Sequence, residues 1–136
     1  MPNGMVSKQV IFQRVRNRII EYLEVASSFD EQRKYQKAVP FESVPSEMIN
    51  LFEDSVPNKG VLDDFELPVY STAEQAALRQ FYKTWEDVAQ NTPNPLPPLE
   101  ETLKLTKWKE LREAAEEALI IFSTRGKLPE DKEIEI

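Results

Sequence analysis

The sequence predicts an all-α fold, an irregular helical bundle, and three observations carry that expectation. Apolar residues recur at three- and four-residue steps in three long stretches, serine-led capping patterns open helical runs, and eight of the ten prolines crowd between Pro40 and Pro98. Both ends are thereby left free for long helices, and the middle is not.

The first long helix is expected over about 7–26, where Ile11, Phe12, Val15, Ile19, Tyr22, Leu23 and Ala26 share one stripe. Ser28-Phe29-Asp30-Glu31 then has the form of a capping box and predicts a short helix to about Ala38. Pro45-Ser46-Glu47 opens another, with Met48, Ile49, Leu51 and Phe52 apolar, and Pro57 closes it. Asn58 to Tyr70 has no clean period and contains Gly60 and Pro68, yet it is too apolar for a free linker, so an ordered loop packed on the body is expected.

Ser71-Thr72-Ala73-Glu74 is a second capping box and predicts the second long helix, 72–90, with Ala77, Leu78, Phe81, Trp85, Val88 and Ala89 facing the core. From Pro93 to Pro98 four prolines in six residues forbid a helix and predict a stiff connector of polyproline type. The third long helix is expected over 99–125, with a break around Thr106, and Gly126 suits the left-handed position that ends it. Residues 1–127 thus read as one helical domain, and 128–136 as a charged, frayed tail.

At 136 residues and 40% hydrophobic composition the chain is long enough to bury about 68% of its unfolded surface in a single core. Having no histidine or cysteine, it lacks the usual zinc ligands, disulfides and a histidine- or cysteine-based nucleophilic site, and three glycines are too few for a glycine-rich phosphate cradle. No cofactor or metal is expected. A calcium loop with Gly60 at its sixth position would place Glu66 at the twelfth, but Ser55, Pro57 and Lys59 would fall where oxygen ligands are needed. The longest apolar run, Ala118-Leu119-Ile120-Ile121-Phe122, is far short of the roughly 20 residues of a membrane span, so a cytoplasmic protein without membrane contact is expected.

The net charge is −7, which disfavours nucleic acid as a partner. Arg14, Arg16 and Arg18 do not overturn this, because helical geometry sets them on both flanks of the apolar stripe, where they read as side chains snorkelling at the border of a core. Between Ala38 and Gln90 ten acids meet three bases, a balance of −7 that equals the whole chain's. The densest part is the run from Glu53 to Glu66, where acids alternate with apolar residues.

Such a surface suits steering and gripping a basic protein, in the manner of an inhibitor, antitoxin or immunity protein. Glu53, Asp54, Asp63, Asp64 and Glu66 are the expected contacting acids, with Phe65 and Tyr70, or Tyr82, as apolar anchors. Two other classes fit less well. A structural or regulatory subunit would use the proline-rich connector with Trp108 as its interface, and a carboxylate-based enzyme would need acids from different helices to converge in a pocket.

Overall fold

A computed structural model describes residues 6–135, so the first five residues of the expected domain and the last residue of the expected tail lie outside the described residues. Among those described, the chain is all-helical, with α1 (Lys8–Ala26), α2 (Phe29–Ala38), α3 (Val44–Ser55), a 3-10 helix (Lys59–Asp64), α4 (Thr72–Gln90), α5 (Leu99–Thr102) and α6 (Thr106–Ser123). α6 packs on α4 and on α1, and α1 in turn carries α2 and α3.

Side-chain caps account for most of the starts. Ser7, Ser28, Ser43 and Ser71 each accept a hydrogen bond from a backbone N–H of the first turn, and at Ser71 the box is complete, because the Glu74 carboxylate accepts from the Ser71 N–H at 3.1 Å. Gly126 adopts φ +71° just beyond α6, as its position suggested. The last helical stretch breaks over Leu103–Leu105 into α5 and α6, next to the break expected around Thr106.

The core joins the stripes through aromatic contacts: Phe52 of α3 meets Phe81 edge-on with centroids 5.0 Å apart, and Trp85 at 5.3 Å. Trp108 is fully buried and its indole N–H donates to the Gln32 side chain at 2.9 Å, while the Gln32 amide donates to the Ala26 carbonyl. Trp108 is therefore core and offers no surface to a partner near the connector.

Three expectations for the ends of the chain are corrected. Arg16 does not snorkel at the border of the core; it is fully buried, and Gln13 and Asn17 are buried with it, whereas Ile11 of the expected stripe is exposed. The inward face of α1 is thus wider than the apolar stripe: Ile19, Tyr22, Leu23 and Ala26 are buried as expected, and Val10, Gln13, Arg16, Asn17 and Ile20 are buried beside them. The segment after Gly126 is not frayed, because those buried amides hold it by its main chain. Gln13 donates to the carbonyls of Pro129 and Lys132, both at 2.8 Å, and accepts from the Ile134 N–H at 3.0 Å. Asn17 donates to the Leu128 carbonyl at 2.8 Å and accepts its N–H at 2.9 Å. Gln9 and Arg14 add bonds to the carbonyls of Ile134 and Glu130. A charged composition favours fraying only when the backbone has nothing to bind, and here α1 supplies the partners.

Candidate functional site

The acidic run is built by the 3-10 helix and the turns after it. Asn58 caps that helix by accepting from the Val61 N–H at 3.2 Å. With three residues per turn, Leu62 and Phe65 fall on one side and face the core, and Asp63 and Asp64 are left outside. Phe65 stacks on Tyr70 with ring centroids 4.5 Å apart, and Phe12 of α1 meets it edge-on at 5.8 Å.

All five expected acids are exposed, but the expected anchors are not. Phe65 and Tyr70 are buried, and so is Tyr82, which packs between Phe52 and Trp85; none of the three presents a ring to a partner. Burial pushes the Tyr70 hydroxyl well above its ordinary pKa, and it has no hydrogen-bond partner among the described residues. The apolar group that does stand out is Leu67, 58% exposed, between Glu66 and Pro68.

The structure also divides the acids. Asp64 and Glu66 line one cavity of about 220 Å³ with Leu67, Pro68, Phe12 and Lys8, and neither carboxylate makes an ion pair among the described residues. Asp63 is engaged by Arg79 at 2.6 Å in an exposed pair, a kind of contact worth about 0–1 kcal/mol and easily exchanged. Glu53 and Asp54 sit on α3, and Asp54 lines a different cavity with Arg18, Glu21 and Tyr35. The five acids therefore form a ledge around the 3-10 helix and a separate α3 edge.

A second charged group went unforeseen. Glu74 is 1% exposed and takes both buried Arg16, at 3.1 Å from Nε and 2.8 Å from Nη2, and Arg125, at 3.0 Å from Nε and 2.6 Å from Nη2. Arg125 also donates to the carbonyls of Pro68 and Val69, and Arg16 to that of Gly126. This cluster ties α1, α4, the end of α6 and the acidic loop together. Burial alone would raise the Glu74 pKa, but the hydrogen bonds from Arg125, Arg16 and the Ser71 N–H, with the Arg16 charge, hold it down to about 2. With both carboxylate oxygens engaged and Glu74 itself buried, the cluster braces these segments against one another.

Among the described residues no three Asp or Glu side chains are grouped so as to hold a metal ion, and no helix is long and apolar enough to cross a membrane. Comparison of the chain with protein-family models, with curated proteins and with solved structures finds no significant match.

Proposed function

We propose that the chain is a non-enzymatic protein-binding domain, of the acidic inhibitor, antitoxin or immunity type, that docks a basic partner. The observation that carries this reading is the ledge itself: Asp64 and Glu66, exposed and without ion pairs among the described residues, border one cavity with the exposed Leu67. Free carboxylates raise the rate of encounter with a cationic surface, and a nearby apolar side chain adds contact area that salt does not screen. The cavity is large enough to receive the end of a lysine or arginine side chain, whose stem would lie on Leu67 and Pro68, on the side away from Lys8, whose ammonium lies over the Phe12 ring. Leu67 takes the part that the sequence assigned to Phe65 and Tyr70.

Capture of partners from the native host with the tagged full chain tests this. A basic protein is expected to bind, with affinity falling as salt rises, and the double substitution Asp64→Lys, Glu66→Lys is expected to weaken it by at least about tenfold. A captured partner whose affinity ignores both the charge reversal and the salt would defeat the reading.

A further inference from the structure

A broad apolar surface lies away from the ledge, where α2 and the turn after it face the proline-rich connector. Pro40, Phe41, Pro45, Leu96, Pro97 and Pro98 line a groove of about 1020 Å³. Phe41 is fully exposed at its edge, which leaves an entire phenyl ring in water. An isolated exposed aromatic is unremarkable on a protein surface, but one beside a contiguous apolar trough marks an interaction surface.

The rim of this groove has the opposite sign to the rest of the chain. Arg33, Lys34 and Lys37 of α2 border it, three cations within five residues on a protein of net charge −7. Two carboxylates, Glu42 and Glu100, also line it, and Glu100 is already held by Arg33 at 2.9 Å. Lys34 is tied only to exposed Glu31, and Lys37 makes no ion pair among the described residues. Exposed pairs of this kind are weak, so Arg33 and Lys34 can exchange their present carboxylates for those of a partner at little cost.

We infer that this groove is a docking site for an acidic partner segment that carries bulky apolar side chains: its aromatic or leucine residues lie against Phe41 and the prolines, and its Asp or Glu residues meet Lys34 and Lys37. The inference goes beyond the proposed function, because the site, the charge of the partner and the residues are all different. A basic protein gripped on the ledge and an acidic segment in the groove would occupy separate surfaces of one molecule.

Selection of random twelve-residue peptides displayed against the immobilised full chain tests it. Enriched peptides that depend on the groove are expected to carry more Asp and Glu than Lys and Arg, together with Phe, Trp or Leu. Their synthetic forms, measured by fluorescence anisotropy, are expected to bind Phe41→Ala and the double variant Lys34→Glu, Lys37→Glu at least about tenfold more weakly. All three side chains are exposed, so circular dichroism and melting should match the parent. Binding to Asp64→Lys, Glu66→Lys is expected to stay unchanged, which separates failure here from failure of the ledge. The inference is overturned if no peptide is enriched, if the peptides are basic or proline-rich, if Phe41→Ala binds them as the parent does, or if sedimentation shows the groove filled by a second copy of the chain.

Discussion

Replacing Glu74 with alanine is expected to lower the stability of the domain by about 3–5 kcal/mol, read as a shift in the urea midpoint at pH 7. The reason is the partner left behind. Arg16 is fully buried, and its guanidinium loses the carboxylate that neutralises it while the desolvation penalty remains. Arg125, about one-third exposed, can turn to water and loses less. Two further observations distinguish this from simple loss of packing. Pairing Glu74→Leu with Arg16→Met should recover part of the stability, since an apolar pair needs no solvation.

The parent should also show an acid transition that Glu74→Ala lacks. The Glu74 carboxyl sits at about 2 in the fold against 4.5 as its ordinary value. A group whose folded pKa is depressed stabilises fully above its unfolded value. That contribution is lost as pH falls from about 4.5 toward 2. An equal slope of stability against pH in parent and variant across that window would contradict the pairing.

Gln13→Leu is expected to cost about 2–4 kcal/mol, out of proportion to so conservative a change in volume. One amide serves three main-chain groups of the last segment, the carbonyls of Pro129 and Lys132 and the N–H of Ile134. Leucine supplies no donor or acceptor, so those groups must turn to water and the segment must leave α1. Amide hydrogen exchange reads this directly. The Ile134 N–H should lose its protection and the Leu128 N–H, held by Asn17, should lose part of it. Protection at Ile134 equal to the parent's would mean that the segment is held by other contacts.

What could be read from the chain before its structure follows from the range of each signal. Caps are local: Ser7, Ser28 and Ser71 stand within three residues of the N–H groups they bind, so each start was legible. The α4 and α6 stripes were legible too, because Leu78, Phe81, Trp85, Trp108, Leu111 and Phe122 are apolar and buried together. On α1 the apolar stripe was legible apart from exposed Ile11, but the three buried polar positions beside it, Gln13, Arg16 and Asn17, were not, since they bind groups 58 to 121 residues away. Glu74 was legible as a box residue, yet nothing local tells that the same carboxylate faces two arginines.

The acids of the ledge were legible as exposed, and their supposed anchors misread for a related reason. In a 3-10 helix a spacing of three puts Leu62 and Phe65 on one inward side, whereas the sequence of this run shows neither the period of an α-helix nor that of a strand. Leu67 beside them reads in sequence as one more apolar residue; only its exposure sets it apart. The groove at Phe41 was not legible either, because its walls come from segments some fifty residues apart that meet only in the folded chain.

The clasp between α1 and the last segment also bears on how the molecule is made. Gln9 binds the carbonyl of Ile134, 125 positions later, so α1, made before the other described helices, is completed only after all of them. Until residue 134 has cleared the ribosome, the amides of Gln9, Gln13 and Asn17 face water, and α1 can pair with α2 and α3 but not with its final partner. A nascent chain should therefore be readily cleaved by protease near α1 until the segment Leu128–Ile134 is free, and become resistant in one step when it is.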